Sequence, residues 1–441
     1  MSDRFALKYE KLTRAAIEQA VLLHERYVHA HQGGARVSFK MQDLSYADLR
    51  GRNLSGADMT GVRLYGADLE GANLEGVCLF GADLRSANLA RSNLSRADLR
   101  GAALRGANIP KAMMLETDLR DGLLMMQRDG NLQPITPEMM GTTMQEAKLQ
   151  GSNLSRAKLS NTFIVQADLR DTNLRGTMFV RANLSNSDLS GCDLEGADLS
   201  EANLSGARLE GAILNRCILR HTDLSNAVLL GALLDNVDLS MAITAGAEMI
   251  RRLVGGDGQI ANILREHNQW VMTNGKQGRR GDLSALDLTG RDLSRMNLSA
   301  VLFRHAILKD ANLSGSSLVM TDLSIADLRG ANLRECDLRG SSLERSNLGK
   351  ADLTNAKLGP VHLHGGQKWP CNLQRSRLIG ALLPRADLSM AKLSNADFAR
   401  ANLREAMLCD ADLTDANLTD ADMRGTEFSG ARLTGIRGFP D

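Results

Sequence analysis

Aromatic residues are scarce in this chain of 441 residues: they make up 3% of it, with 2 Trp, 4 Tyr and 9 Phe. A conventional core of this size draws much of its volume from aromatic rings, so the interior must be filled by something smaller and more uniform. Proline is rare as well, at 7 residues against 41 glycines. An excess of either charge is missing, because 53 Lys+Arg face 52 Asp+Glu for a net +1. Proteins that hold nucleic acid through its phosphates carry a basic excess or stripe, so the balance argues against a nucleic-acid partner. No apolar run approaches the roughly 18 residues of a membrane-spanning helix. The start, MSDRFALKYEKLTRAAIEQ, has neither the apolar centre nor the small-residue cleavage site of a secretory leader. The expectation is a cytoplasmic protein with no membrane insertion. Cys78, Cys192, Cys217, Cys336, Cys371 and Cys409 form no C-x-x-C pair. They read as reduced thiols, not as a disulfide framework or a zinc site.

What the chain does have is a repeat. From Leu44 to Met249 an apolar residue returns at every fifth position, 42 positions in all, broken only at Asp129, Pro134 and Thr244. A second register runs from Leu283 to Leu433 over 31 positions, broken only at Lys368. Five is neither the 3.6-residue period of a helix nor the 2-residue period of a strand, so each pentad is a structural unit. Segments such as GADLEGANLEG at 66–76 and DADLTDANLTDADM at 410–423 show its composition. A small residue, usually Ala, stands two before the central Leu. Asp or Asn stands directly before it, and Ser, Thr or Arg directly after.

This A-(D/N)-L-x-x pattern resembles the pentapeptide-repeat family over more than four-fifths of the chain. The resemblance implies an all-β solenoid, a right-handed quadrilateral β-helix in which four pentads make one coil. It also implies that the Leu and the small residue point inward while the other three positions face solvent. With coils stacked at the strand spacing of about 4.8 Å, the first register predicts roughly ten coils and about 50 Å of rod, the second nearly eight coils and about 37 Å. Cys192, Cys217, Cys336 and Cys371 fall on the small inward position and read as apolar fillers.

Three interruptions organise the chain. Residues 125–143, with Gln133, Pro134 and Pro137, leave the phase unchanged, which fits either a degenerate coil or a loop bulging from the wall. Residues 250–282 reset the phase and contain a helical face of Ile260, Leu264, His267 and Val271, with Trp270 beside it; Asp257 is a candidate N-cap and Gly275 a candidate stop. The N-terminal segment matches, since Ile17, Val21, His24, Tyr27 and Val28 align with Ile260, Leu264, His267, Trp270 and Val271. Helix-led blocks with this His-x-x-aromatic pattern resemble those of bacterial pentapeptide-repeat proteins. The organisation expected is a capping helix at 1–36, a β-helix at 37–249, a linker and second capping helix at 250–282, and a second β-helix at 283–441. Bare rod ends invite end-to-end association, so both helices read as caps, and homo-oligomerisation through rod ends stays open. The third interruption, a loop at 364–371, places Lys368 on an apolar position and exposes Trp369. Leu363 is expected to point inward, with His362 and His364 projecting outward on either side.

No catalytic, cofactor-binding or metal-binding set emerges. His362 and His364 have ligand spacing, but Cys371 should point away from them and no fourth ligand is evident. Carboxylates recur because Asp precedes the central Leu, so acid pairs arise by construction. Phosphate-loop and nucleophile-elbow motifs are absent. The expected function is a non-enzymatic cytoplasmic scaffold or adaptor that binds an unidentified protein, with His362, His364, Lys368, Trp369, Gln133, Pro134 and Pro137 as candidate contacts. The alternative is the family's DNA-mimic branch, which binds gyrase. Against it, the blocks 39–125, 144–249 and 281–433 carry about 0, −4 and 0, whereas a duplex carries one charge per ~1.7 Å. An unrecognised ligand-binding or catalytic role is a second alternative.

Overall fold

The computed structural model describes residues 9–122, 142–250, 256–363 and 365–439, and the backbone of 125–128 and 131–134. The chain forms two compact units, Met1–Glu248 and Met249–Asp441. Both are built from the pentad. Its residue before the central Leu bridges in parallel to the residue twenty further on, as in Ser38↔Asp58 and Asp282↔Leu302, so four pentads complete one coil. Each Leu N–H donates to a carbonyl of the next coil, as from Leu69 to Asn88 O at 2.7 Å. Each corner is a turn closed by a bond such as Ala47 N–H to Leu44 O at 3.1 Å, with its third residue left-handed, as at Tyr46 (φ 62) and Gly51 (φ 63). Positive φ at that position defines a type II turn and explains why Gly is the commonest residue there.

The interior follows the same arithmetic. Leu69, Leu199 and Leu333 are 0% exposed, as are Phe179, Phe303 and Phe398 at equivalent positions. The small position mostly carries Ala, and elsewhere often a donor that satisfies a nearby carbonyl. Thr172 Oγ1 donates to Leu149 O at 3.0 Å, and Cys336 Sγ to Leu313 O at 2.9 Å. Burial pushes the Cys336 thiol up to about 11 and the Cys217 and Cys371 thiols up to about 12, which keeps them protonated and inert.

Helix α1 (Arg14–Val28) begins at Thr13, whose hydroxyl accepts from Ala16 N–H at 3.3 Å. Its buried face is Ile17, Val21 and His24. His24 lies under the first coil: Nδ1 accepts from Val37 N–H at 3.2 Å and Nε2 bonds Ser55 O at 3.0 Å. Glu25 accepts from the edge N–H of Asn53 at 3.2 Å. Helix α2 (Gly256–Met272) repeats the device, with His267 Nδ1 accepting from Gly281 N–H at 3.2 Å and Ile260, Ile263 and Leu264 packed on the second core. Each buried ring stacks on the aromatic three residues on, His24 on Tyr27 at 6.1 Å and His267 on Trp270 at 5.7 Å. Arg36 Nε and Arg280 Nε each reach a carbonyl twenty residues on, Gly56 O and Ala300 O. Asp257 lies inside α2, not at its N-cap, while Gly275 (φ 82) does terminate it, its N–H bonding Trp270 O at 2.8 Å.

At four places the structure settles or corrects what the sequence left open or misplaced. Tyr27 is half-exposed and Trp270 only partly buried, so the aromatics lean on the histidines and do not enter the core. Strand β1 (Glu10–Lys11) pairs in parallel with β2 (Gln42–Asp43) and covers part of the first coil's edge, a contact that two polar residues gave no sign of. Residues 125–143 do not form a coil, because Ala103 bridges directly to Thr143 and Asp118 to Lys158, which closes the stack across the insertion. There β3 (Met125–Arg128) pairs antiparallel with β4 (Asn131–Pro134), and the stack loses one coil against the sequence count. The loop expected at 364–371 is displaced as well. Ser342 bridges to Asn372 and Lys357 to Asp387, so ten residues leave the wall and the coil count falls by two pentads.

Replacing Leu199 by Asp places a carboxylate among stacked leucines at a cost of several kcal/mol; the thermal midpoint of the first unit is expected to drop by at least ~10 °C, and an unchanged midpoint would refute the stacking. The caps carry a pH signature. Burial lowers the pKa of His24 and His267 below the ordinary 6.5, so the folded state favours neutral rings. That stabilisation is complete above pH 6.5 and is lost as pH falls through 6.5 toward the lowered folded values. The midpoint should therefore decline between pH 7.5 and 5.5, and the double variant His24→Gln, His267→Gln should show a flatter profile.

Candidate interaction surface

The outward positions of a pentad sit two apart on one strand, so their side chains share a face. The carboxylate before the central Leu accepts from the backbone N–H two residues on, as at Asp43 (Ser45 N–H, 2.9 Å) and Asp58 (Thr60 N–H, 3.1 Å). This local bond explains why Asp and Asn dominate that position. Where Arg follows the Leu, it closes a two-pronged pair on the same carboxylate. Arg50 does so on Asp48, Arg100 on Asp98, Arg170 on Asp168 and Arg339 on Asp337, with N···O distances of 2.6–2.9 Å. Hydrogen bonds from Arg424 hold the Asp422 carboxyl down to about 2. Such acids are neutralised within their own pentad. A shallow cleft on this wall is also charge-paired, Asp98 with Arg100 within one pentad and Glu116 with Arg156 across coils at 3.6 Å.

The irregular surface lies at the second insertion. Strand β5 (Val361–His362) pairs antiparallel with β6 (Lys368–Trp369), Val361 opposite Trp369 and His362 opposite Lys368. Leu363 N–H bonds Gln367 O at 2.8 Å, so Leu363 belongs to the hairpin and does not point into the core as the pentad phase implied. Cys371 is fully buried, back in the wall. The hairpin folds over Gly340, where a Cβ would fall 2.9 Å from Val361 Cγ2 and 3.2 Å from Trp369 Cδ1. Trp369 is 52% exposed on this seat. Lys368 Nζ lies 3.6 Å from Met390 Sδ, and Met320 is exposed one rung below Gly340 at the same corner. The result is an apolar ridge of Met320, Trp369 and Met390 flanked by exposed His362 and Lys368.

Pro137 and His364 lie outside the described residues, as do the side chains of Gln133 and Pro134. Sequence reasoning missed Gly340, Met320 and Met390. Gly340 looked like any turn glycine, and the methionines stand on turn positions to which no period assigns a role. At the base of the first hairpin Thr142 Oγ1 accepts from Gly101 N–H and donates to Arg120 O, both at 2.9 Å.

The family model described as pentapeptide repeats matches residues 43–81, 78–114, 138–176, 178–216, 212–243, 282–318, 321–359, 371–408 and 396–435. The chain belongs to the pentapeptide-repeat family. Its fold is the right-handed quadrilateral β-helix of that family. The matched segments stop at both hairpins, which belong to this chain and not to the repeat. No curated protein matches it. Among solved structures it is similar to HetL, a pentapeptide repeat protein involved in heterocyst differentiation regulation from the cyanobacterium Nostoc sp. strain PCC 7120, at 26% identity over 68% of this chain and 90% of that one, TM-score 0.20. It is also similar to full-length QnrB1, a plasmid-mediated fluoroquinolone resistance protein, at 19% identity over 50% of this chain and 96% of that one, TM-score 0.26. A pentapeptide repeat protein of the Arabidopsis thaliana thylakoid lumen matches at 23% identity over 29% and 66% of the respective chains, TM-score 0.17. Overlays this partial say nothing about function.

Gly340→Asn separates the seat from the turn, because Asn tolerates left-handed backbone while its Cβ meets Val361 and Trp369. The expected result is a red shift of Trp369 fluorescence, read in a Trp270→Phe background, with the rod's thermal midpoint within about 2 °C of the parent. An unmoved emission maximum would mean that Gly340 does not seat the hairpin.

Proposed function

We propose that this protein is a non-enzymatic cytoplasmic scaffold that holds another protein against its β-helical surface, with the Trp369 hairpin as the principal contact. One observation carries this reading. In a chain with 3% aromatics, a tryptophan stands 52% exposed, backed by a glycine and bordered by two methionines. Trp and Met are enriched at the centres of protein interfaces, and a rigid seat lowers the entropic cost of using them. The filled interior supports the same reading, since a stack of leucines leaves no deep pocket for a substrate.

The gyrase-binding alternative is weakened by the Asp–Arg pairs. A duplex mimic needs a net negative charge along its faces, and here eight of the 24 aspartates before a central residue are answered by the arginine two residues on while the blocks as a whole stay near neutral. The test is affinity capture with the intact protein and with Trp369→Ala, followed by mass spectrometry, alongside a DNA supercoiling assay. Loss of at least one specific partner with Trp369→Ala is expected, with supercoiling by gyrase untouched at micromolar protein. Identical captured sets would sink the Trp369 reading, and clear inhibition of gyrase would favour the alternative.

A further inference from the structure

The charge pattern around the hairpin departs from the rest of the chain. Elsewhere acids recur every few pentads, but none occurs between Asp352 and Asp387, a stretch of 34 residues that carries Lys357, Lys368, Arg375, Arg377 and Arg385. The next longest acid-free stretch, 147–167, has 21 residues. In the fold this segment is the hairpin together with the coil that follows it, so it wraps the rod as a belt. Lys357, Lys368, Arg375 and Arg385 are exposed on it. Acids border the belt on both sides: Asp387 lies opposite Lys357 and Asp397 opposite Arg377, while others are bonded within the wall. Asp337 is held by Arg339 at 2.6 and 2.8 Å, Asp352 by Arg334 at 3.0 Å, and Glu344 accepts from Asn372 at 3.2 Å. The Met320–Trp369–Met390 ridge runs along one corner of this belt. Met320, Gly340 and Met390 are turn residues of this corner, which spans about 15 Å, and the hairpin leaves the wall at the rung between Gly340 and Met390.

We propose that the β5–β6 hairpin and the coil behind it dock an acidic protein segment, a stretch of chain with a large apolar side chain flanked by carboxylates. This rests on the protein-binding reading above and adds the chemistry of the partner. The apolar side chain packs on Trp369 between Met320 and Met390, and the carboxylates meet Lys368 and Lys357 beside His362. Charge complementarity selects the sign of the partner and speeds its encounter, while the aromatic anchor supplies most of the affinity. A nucleic acid fits less well. A duplex is evenly charged at one phosphate per ~1.7 Å and would have to cross the acid-bearing coils on both sides of the belt, with no use for the methionines.

The experiment uses the full chain with Trp270→Phe, which leaves Trp369 as the only indole. Three synthetic peptides share a Leu-Phe centre flanked on both sides by Glu, by Lys or by Ser, and a 12-base-pair DNA duplex is the fourth probe. The Glu peptide is expected to shift Trp369 emission with a Kd about tenfold or more below that of the Ser peptide, the difference shrinking as salt rises. The Lys peptide should be weaker than both. Lys368→Glu, at an exposed site that leaves the thermal midpoint unchanged, should reverse the order of the Glu and Lys peptides. Equal binding of all three peptides, no response to the Glu peptide at millimolar concentration, or preferential saturation by the duplex would each overturn the proposal. The two readings fail separately: a Trp369-dependent partner captured through a neutral or basic segment removes the acidic partner and leaves the scaffold, whereas capture indifferent to Trp369 removes the scaffold contact itself.

Discussion

Everything in this protein depends on the narrowness of a four-sided interior. Each pentad has room for one Leu and one small residue, and these stack on their equivalents a strand spacing away. Burying one such leucine is worth about 1.5–3 kcal/mol, a gain repeated at every pentad. The constraint explains the composition at once. Larger rings enter where a phenylalanine replaces the leucine, as at Phe179 and Phe398, and a polar residue at the small position is accepted when its hydroxyl or thiol reaches a carbonyl. It also explains why the molecule has so little chemistry inside. The interior is occupied, and its buried thiols are held protonated.

A repeat that gains stability from its neighbours is exposed at its first coil, which lacks one neighbour. Both units answer with the same parts: an amphipathic helix, a buried histidine that accepts from the first strand's N–H, and an arginine that bonds a carbonyl of the first coil. Histidine suits the place because a neutral imidazole offers an acceptor to the first strand on one nitrogen and, at His24, a donor to Ser55 O on the other. Its aromatic neighbour half-covers the ring from the solvent side. The two helices share this arrangement although few of their other residues agree, so the cap is defined by what the coil edge leaves unpaired.

The outer surface carries a second local pattern, the acid before the leucine bonding the backbone two residues on, joined in eight pentads by an arginine after the leucine. Their pairing makes a regular wall electrically quiet, and a quiet wall gives a partner little to recognise. Recognition then falls to the places where the rule lapses. The β5–β6 hairpin is such a place, because it brings an aromatic out of a chain that has few and interrupts the alternation of charge.

How far this could be read in advance follows from the period itself. The five-residue phase of leucines marked the pentad as the structural unit, and the family resemblance that it carries implied the coil, the inward residues and the fate of Cys192, Cys217, Cys336 and Cys371. The His-x-x-aromatic match between the two helices was equally legible. The period could not say which in-phase residues lie in the wall. The first insertion removes twenty residues and the second ten; both are multiples of five, so the phase passes through them unchanged. Leu363 therefore looked like every other core leucine, and the hairpin limits of 361–370 were invisible. Gly340, Met320 and Met390 were hidden for the same reason, because their importance comes from a hairpin folding back onto a neighbouring rung. A local period records what each pentad does alone. Closing four of them into a coil, and deciding which to leave out, is settled only when the backbone finds its partner twenty, thirty or forty residues away.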